Sequence, residues 1–494
     1  MDCEVVVVGG GIGGLTVAAL LAQRGVDVCL LERESKVGGC AANFEKLGYQ
    51  FDQGYGLFSG WQPGEIHERV FAELPVDPPE IHRWEPAYVI RLPDGCEVPI
   101  LGYAQNDLFA SNLRQVFPEC ADEAVAFYQR LAPLGAAWRR AIQNTPDLLS
   151  ASKLGRVVSL MREGLAGNEL AKAAQQTTAE LLDGVSDRFR RFIDLQLQTF
   201  TQSVTADVPF LAAAIALTAP REGMFGLSGG AAALADRLAD SIKKAGGRLR
   251  PNSPVLRLHL DAAGAVTGVD LMTGEVVTAS KAIVSNLTVW DTYGKLVGLN
   301  RTPSDIRKQL HTLRSWGTYQ MYLSVSEGAA SRTADHMLAL PEWTAGEPYD
   351  PQAQLFFTVA HGERRAPTGK MAVTVHTFTD VDEWFTYHSD ETELEANDQQ
   401  MLERCWVRLH SAIPELGDDV EVIETATPRT YYELTRRKLG MVGGLPRSGE
   451  FWLGRPPFLT SVPNLFLVSD TAYPGGMEGL TRSAWLLANK IALK

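Results

Sequence analysis

Residues 5–33 read VVVVGGGIGGLTVAALLAQRGVDVCLLER, and this stretch decides the fold. Val5 to Val8 is an apolar run of the length expected for a buried parallel strand. A glycine turn from Gly9 to Gly14 follows it, and Leu15 to Gln23 has the alanine- and leucine-rich composition of a helix. Val26 to Leu31 is the next buried strand, so the stretch predicts a compact βαβ unit.

The glycine turn carries the pattern Gly9-x-Gly11-x-x-Gly14. The first glycine permits a tight turn, the second lets the backbone approach a pyrophosphate, and the third lets helix and strand pack closely. Ile12 and Gly13 complete the turn at a helix N-terminus, where free N–H groups and the helix dipole favour a diphosphate. The turn therefore predicts a dinucleotide site.

An acidic residue follows the second strand at the spacing that such sites require. Glu32 lies 18 residues after Gly14 and is followed by Arg33. A carboxylate there accepts hydrogen bonds from both ribose hydroxyls and disfavours a 2′-phosphate, which argues against NADP.

A second set of glycine turns separates FAD from NAD. Gly38 and Gly39 come six residues after Glu32, and near the end of the chain Asp470 closes an apolar run before Pro474-Gly475-Gly476. An acid at the end of that strand suits a hydroxyl of a ribityl chain. The last turn would place N–H groups beside the pyrimidine end of a flavin and stabilise negative charge there. The cofactor expected is therefore FAD.

The remaining segments predict a discontinuous α/β fold. From about Leu108 to Thr218 the composition is helical, and α/β character returns at Phe225. Alternating runs such as Tyr319 to Val325 and Met371 to Phe378 predict a second sheet. We therefore expect a Rossmann-like FAD-binding domain built from residues 1–75, 221–290 and 431–494. A helical cap (76–220) and a substrate-binding domain (291–430) would form an inserted α+β unit with a mixed sheet.

Composition limits the partners. The formal net charge of −13 repels nucleic acid and anionic membranes, so no nucleic-acid partner is expected and any membrane contact must be local. The six cysteines form no C-x-x-C pair, which favours a reducing compartment such as the cytoplasm. We also expect no signal peptide, no membrane-spanning segment and no metal site. The pattern specifies no oligomeric state.

These motifs resemble those of the phytoene desaturase, carotenoid isomerase and retinol saturase group, within the amine-oxidase-like flavoproteins. The resemblance covers Val5 to Gly54, Phe225 to Asn286 and Thr427 to Lys494. It implies that Val255 contacts adenine through its backbone, that Asp470 holds the ribityl chain and that Met477 lies close to the isoalloxazine. Where the superfamily often has R-x-G-G-R, this chain ends the motif in Cys40, which moves the resemblance away from the bacterial phytoene desaturases and toward the isomerase, saturase and later-pathway desaturase branches.

Four features leave two interpretations open. Glu478 is either a catalytic or flavin-tuning carboxylate, or an acid that satisfies the dipole of the last helix. Cys40 is a redox thiol or a small packing residue. Tyr431 and Tyr432, with Arg436 and Arg437 after them, line a substrate entrance or form an ordinary strand with a solvated end. The segment from Lys153 to Leu165 is an amphipathic membrane foot or a helix packed on the core.

Taken with the resemblance, the sequence predicts a flavoenzyme for a hydrophobic small-molecule substrate, with desaturation of a carotenoid or other polyisoprenoid as the first expectation. Cis–trans isomerisation or saturation is the runner-up. An amine oxidase is a further alternative, but it needs an aromatic pair flanking the flavin, and the C-terminal turn has no obvious aromatic residue. The alternative from another class is a non-catalytic FAD- or lipid-binding protein. Hydride chemistry on a hydrocarbon needs little from side chains, and Glu478 is the one catalytic candidate.

Overall fold

The computed structural model describes residues 2–144, 155, 158–159, 164–344, 346–362, 365–385, 391–448, 460–473 and 475–493. The strands are β1 (Asp2–Val8), β2 (Val28–Leu31), β3 (Asn43–Lys46), β4 (Tyr49–Asp52), β5 (Ile81–Trp84), β6 (Val89–Arg91), β7 (Glu97–Pro99), β8 (Met224–Leu227), β9 (Arg248–Arg250), β10 (Val255–Leu260), β11 (Val266–Leu271), β12 (Val276–Ser285), β13 (Gly317–Ser326), β14 (His336–Ala339), β15 (Leu355–Ala360), β16 (Lys370–Thr379), β17 (Val420–Ala426) and β18 (Leu465–Leu467).

The helices of eight or more residues are α1 (Ile12–Gln23), α2 (Ile66–Glu73), α3 (Asn106–Val116), α4 (Ala121–Asn144), α5 (Leu165–Ala173), α6 (Asp187–Thr201), α7 (Phe210–Glu222), α8 (Gly230–Lys244), α9 (Ser304–Thr312), α10 (Glu391–Ala412), α11 (Pro428–Thr435) and α12 (Gly476–Ala492). Shorter helical segments lie at Gly39–Ala41, Tyr103–Gln105, Pro118–Cys120, Ala179–Leu181, Val289–Asp291, Thr292–Gly298, Glu327–Ala330, Pro351–Ala353, Asp382–Phe385, Pro414–Leu416 and Lys438–Gly440.

The first sheet has the order β10-β11-β12-β1-β2-β9, and β18 also pairs with β12. Strands β2 and β12 run parallel to β1, and β18 runs parallel to β12. Val5 and Val7 are completely buried under α1, α8 and α12, and Val6 is buried in a second core on the opposite face of the sheet. The carboxyl ends of β1, β12 and β18 meet at one edge, which is where open α/β sheets bind ligands.

The second sheet has the order β17-β13-β16-β15-β14-β6-β7. The pairing is antiparallel except between β14 and β6, so this is the mixed sheet that the sequence predicts. Leu323 and Val373 point into a core that Cys405 and Leu409 of α10 complete. Both strands predicted here, within β13 and β16, are confirmed.

The helical cap consists mainly of α3 to α7 around one aromatic-rich core. Phe117, Phe127, Phe189 and Phe192 are buried together there. Helices α4 and α7 touch closely, since a Cβ at Gly135 would lie 2.2 Å from the Thr218 hydroxyl. The cap confirms the helical composition predicted for this stretch.

The predicted amphipathic segment from Lys153 to Leu165 lies outside the described residues, except for 155, 158–159 and 164–165. In the part of the chain that the structure describes, no helix has the length and apolar character to cross a bilayer.

The strands of each sheet come from separated parts of the chain. The first sheet uses residues 2–31, 248–285 and 465–467, and the second uses 89–99, 317–379 and 420–426. The range 76–220 thus adds β6 and β7 to the second sheet besides supplying the cap helices. The domain limits at 75, 220, 290 and 430 stay predictions.

Candidate functional site

One cavity of about 1540 Å³ joins the edge of the first sheet to the helical cap. Pockets for one small molecule usually occupy about 300–1,000 Å³, so this cavity has room for a cofactor and a second ligand together. Of the residues predicted from sequence, all but Gly14 line it: Gly9, Gly11, Ile12, Gly13, Glu32, Arg33, Gly38, Gly39, Val255, Asp470, Met477 and Glu478. The structure therefore brings the first and last glycine turns to one cavity.

The first glycine turn is packed so closely that larger residues do not fit. Gly9 has a φ of +98°, and a Cβ on Gly14 would lie 2.2 Å from the Gly9 carbonyl oxygen. The Gly38 N–H donates to the Gly10 carbonyl over 2.8 Å, which fixes the second glycine pair against the turn. No side chain caps α1 at Gly11, so the first N–H groups of the helix are available to an anion.

Glu32 lies at the edge of the turn with its carboxylate held by backbone donors. One oxygen accepts the Gly10 N–H at 2.6 Å and the other accepts the Glu34 N–H at 2.8 Å. The Glu32 carbonyl accepts the Ser253 N–H at 2.7 Å, which brings the start of β10, with Val255, to the same wall. Arg33 is engaged elsewhere, because its guanidinium donates to the Leu434 carbonyl at the end of α11.

Asn286 was not among the residues predicted from sequence. It follows β12 directly, and its side-chain amide donates to the Val468 carbonyl over 2.6 Å. A Cβ on Gly11 would lie 2.6 Å from the Asn286 side-chain oxygen. Asn286 thus ties the ends of β1, β12 and β18 together. A polar residue directly after a buried strand was a signal that could have identified it.

Asp470 follows β18 and forms an ion pair with Arg437 at 2.8 Å. Arg437 also donates to the Met441 carbonyl over 2.6 Å, so the pair connects the end of β18 to the segment after α11. Asp470 still borders the cavity, as does Met477 in the first turn of α12. The cap residue of α12, Gly475, makes no side-chain hydrogen bond, which leaves a second helix N-terminus open to the cavity.

Glu478 lies in the first turn of α12, as expected of an acid that satisfies the helix dipole. Its carboxylate accepts the Ser59 hydroxyl at 2.7 Å and pairs with Arg482 at 3.2 Å. These contacts use both carboxylate oxygens and favour the structural interpretation over the catalytic one. Burial raises the pKa of the Cys40 thiol, which keeps it protonated and favours its interpretation as a packing residue.

The interpretation of Tyr431 and Tyr432 as part of a strand is wrong. They lie in helix α11, which Thr427 caps by accepting the Thr430 N–H and which has Pro428 at its first position. Threonine followed by proline is a helix start, and this local signal outweighs the β-preference of two tyrosines. Both tyrosines line the cavity.

The far wall of the cavity is apolar and comes from the helical cap. It includes Trp138, Ile142, Phe200, Ile215 and Ala219, and Met224 of strand β8 adjoins it. A wall of this kind excludes water and binds hydrocarbon, whereas a polar substrate would leave its own hydrogen-bonding groups unpaired there. Sequence reasoning missed these residues because helical periodicity does not reveal which face borders a cavity.

An aromatic residue does accompany the C-terminal turn, contrary to the expectation from sequence. Tyr473 precedes the turn, lines the cavity and is 3% exposed. It packs against the core of the helical cap, whose residues are distant from it in sequence. Local sequence patterns therefore could not predict its orientation.

The chain is similar in sequence to curated proteins and in fold to solved structures. Prolycopene isomerase of Arabidopsis thaliana is 25% identical over 99% of this chain and 82% of its own length. All-trans-retinol 13,14-reductase of Danio rerio is 24% identical over 98% of this chain and 85% of its own length. A solved oxidoreductase from Methanosarcina mazei, 17% identical, matches the fold with a TM-score of 0.67 over 99% of this chain and all of that one. The model of the flavin-containing amine oxidoreductases matches residues 12–492, so the chain belongs to that family.

Proposed function

We propose that the chain is an FAD-dependent enzyme that isomerises or saturates a double bond of an apolar polyene. The observation that carries this proposal is the single cavity, which is bordered by the dinucleotide turn at one end and by the apolar cap wall at the other. The similar proteins of Arabidopsis thaliana and Danio rerio are, by their names, an isomerase and a reductase. They support placing these reactions ahead of the desaturation expected from sequence.

The residues present fit FAD. Two uncapped helix N-termini, at Gly11 and Gly475, border one cavity and offer N–H donors to a diphosphate and to an electron-rich ring. Glu32 would hold the ribose hydroxyls. Asp470 would hold the ribityl chain while the ion pair with Arg437 orients its carboxylate.

Bound FAD supplies hydride chemistry at its ring. The protein positions the substrate, stabilises charge at the flavin and excludes water from the cavity. The N-terminus of α12 stabilises negative charge at the end of the cavity it faces. Trp138, Phe200 and Ile215 exclude water and hold the hydrocarbon in place. Ser59 and Arg482 hold the Glu478 carboxylate in place beside the turn.

The amine oxidase alternative is less well supported by the charges. An amine substrate is a cation at neutral pH, and Arg447 lines the same cavity. Burial lowers the pKa of Arg447 to about 10, so this guanidinium remains charged at neutral pH and repels an ammonium group. Tyr473 supplies one aromatic ring beside the turn, but the charge of Arg447 opposes an amine.

Anaerobic reactions test the proposal. After reduction of the bound flavin with dithionite, we expect candidate polyenes to yield geometric isomers, or products lacking one double bond with stoichiometric reoxidation of the flavin. Chromatography of the products and flavin absorbance measure both. Bleaching of the oxidised enzyme with a gain of conjugation would instead establish desaturation. Inertness toward every polyene, with flavin bound, would contradict the proposal and support a non-catalytic carrier.

Glu32→Gln should weaken flavin binding about 10-fold. The amide keeps one acceptor oxygen but turns an NH₂ group toward either the Gly10 or the Glu34 N–H, leaving a donor unpaired. Such a loss costs about 1–3 kcal/mol. The dissociation constant is measured by fluorescence titration of the apoprotein with FAD. Glu45→Gln, an exposed change on β3, should bind FAD as the wild type does, and equal affinity of the two variants would disprove a role for Glu32.

A further inference from the structure

Arg447 presents a guanidinium group to the cavity at its cap side. Its backbone N–H donates to the Thr201 carbonyl over 2.9 Å, which places it beside Phe200 at the end of α6. Among the described residues, no carboxylate lies within ion-pair distance of it and no side-chain hydrogen bond joins it. A guanidinium has five N–H donors and no acceptor, so these donors face the space where a ligand binds.

Glu478, the carboxylate whose charge acts on Arg447, already has other partners. Glu478 accepts from Ser59 and pairs with Arg482 at 3.2 Å, and Glu65 pairs with Arg482 at 3.3 Å. Burial outweighs the attraction of Glu478 and lowers the pKa of Arg447 to about 10. The charge of Arg447 is therefore only partly compensated by the protein.

Tyr473 provides an independent observation at the same place. Its side chain is 3% exposed and lines the cavity, and its hydroxyl has no hydrogen-bond partner in the described part of the chain. Tyr473 belongs to the cap core against which Phe200 packs, and a Cβ on Gly444 would lie 2.7 Å from the Asp470 carbonyl oxygen, so the chain segments that carry Arg447 and Tyr473 are in contact. A buried hydroxyl without a partner costs free energy unless a ligand provides one.

We propose that Arg447 and Tyr473 form a subsite for the carboxylate end of an apolar chain. This inference rests on the proposed function, since the rest of the polyene chain would lie along Trp138, Phe200 and Ile215 in the same cavity. A guanidinium binds a carboxylate through two parallel hydrogen bonds, and the tyrosine hydroxyl donates a third. The substrate class is thus an isoprenoid or other polyene acid.

Equilibrium binding to the flavin-loaded protein tests the subsite without turnover. All-trans-retinoic acid and its methyl ester share one polyene chain and differ only in the charge of the end group. Quenching of tryptophan fluorescence gives both dissociation constants. We expect the acid to bind the wild type at least about 10-fold more tightly than the ester, as hydrogen bonds to a charged group allow.

Variants distinguish a loss of carboxylate recognition from a general loss of folding, because only the first affects the acid and spares the ester. Arg447→Gln should weaken the acid about 10-fold and leave the ester unchanged, and Tyr473→Phe, which removes one oxygen, should weaken the acid about 3-fold. Arg307→Gln, an exposed change on α9, is the matched control and should alter neither constant.

Three results would count against the subsite. Equal affinities of the acid and the ester for the wild type would overturn it, as would an equal loss for both probes in Arg447→Gln. Both outcomes leave the proposed polyene site intact. If neither the acid nor the ester binds, and the same polyene without a carboxyl group does not bind either, both the proposed function and the subsite are wrong.

Discussion

Gly14→Ala is expected to yield protein that retains almost no flavin. The added Cβ would lie 2.2 Å from the Gly9 carbonyl oxygen and 3.0 Å from the Asn286 Cβ. The first neighbour is backbone, so the clash can be relieved only by moving the turn or the start of α1. Either shift displaces Gly11 and the N–H groups at the proposed diphosphate site. Overpacking of this kind costs about 1–3 kcal/mol or more, and at its upper limit corresponds to about a 100-fold loss of cofactor affinity.

The ratio of flavin to protein absorbance after purification measures this loss directly. Gly328→Ala serves as the matched control, because Gly328 is exposed and no atom lies within 4 Å of the position of its Cβ. It should retain flavin fully. A normal flavin content in Gly14→Ala would mean that the close packing of helix and strand is not what holds the turn in its binding conformation.

The first βαβ unit was predictable because its signals are local. Val5 to Val8 and Val26 to Leu31 are apolar runs. Each glycine of the pattern between them meets one requirement, namely a tight turn, a close approach to the pyrophosphate or close packing of helix and strand. The structure confirms the strand, turn and helix there. Glu32 and Asp470 were also within reach, because acids at the ends of buried parallel strands gather at one sheet edge. Their meeting at one cavity follows from the parallel pairing of β18 with β12.

The rest of the site depends on contacts that no local pattern encodes. Arg437 meets Asp470 only because α11 and β18 end at the same place in the fold. The orientation of the Tyr473 side chain depends on its packing against the cap helices, which are remote in sequence. The error at Tyr431 has another cause. Thr427 and Pro428 form a helix start that can be identified from sequence, but the strand preference of tyrosine was given more weight. Tyr431 and Tyr432 were thus misjudged although the information was present in the sequence, and Asn286 was missed although it directly follows a buried strand.

The second large effect expected is a loss of stability on breaking the buried ion pair of Asp52 and Arg365. Arg365 joins the end of β4 to the loop before β16, and the two side chains are 17% and 5% exposed. Asp52 also approaches the first residue of α8, where a Cβ on Gly230 would clash with its carboxylate. Arg365→Met leaves this carboxylate buried without its cation, which costs about 3–5 kcal/mol of unfolding free energy.

Urea denaturation at pH values of about 5 and 7.5 tests both the size and the origin of this loss. Burial already raises the pKa of Asp52 against the opposing effect of Arg365, and removing the arginine raises that pKa further. A folded-state pKa above the unfolded one means that the folded state binds the proton more tightly. Stability is then greatest below the unfolded pKa and declines as the pH rises through the folded pKa. The deficit of Arg365→Met relative to the wild type should therefore grow toward neutral pH.

A double variant and a variant of an exposed ion pair serve as controls for this prediction. Asp52→Asn combined with Arg365→Met leaves no buried charge, so it should recover much of the lost stability and remove the added pH dependence. Lys243→Met breaks the exposed pair with Asp240 and should cost less than about 1 kcal/mol. If Arg365→Met costs no more than Lys243→Met, or if its deficit is the same at both pH values, the ionised Asp52 carboxylate is not what requires Arg365. The link between β4 and the second sheet would then depend on packing alone.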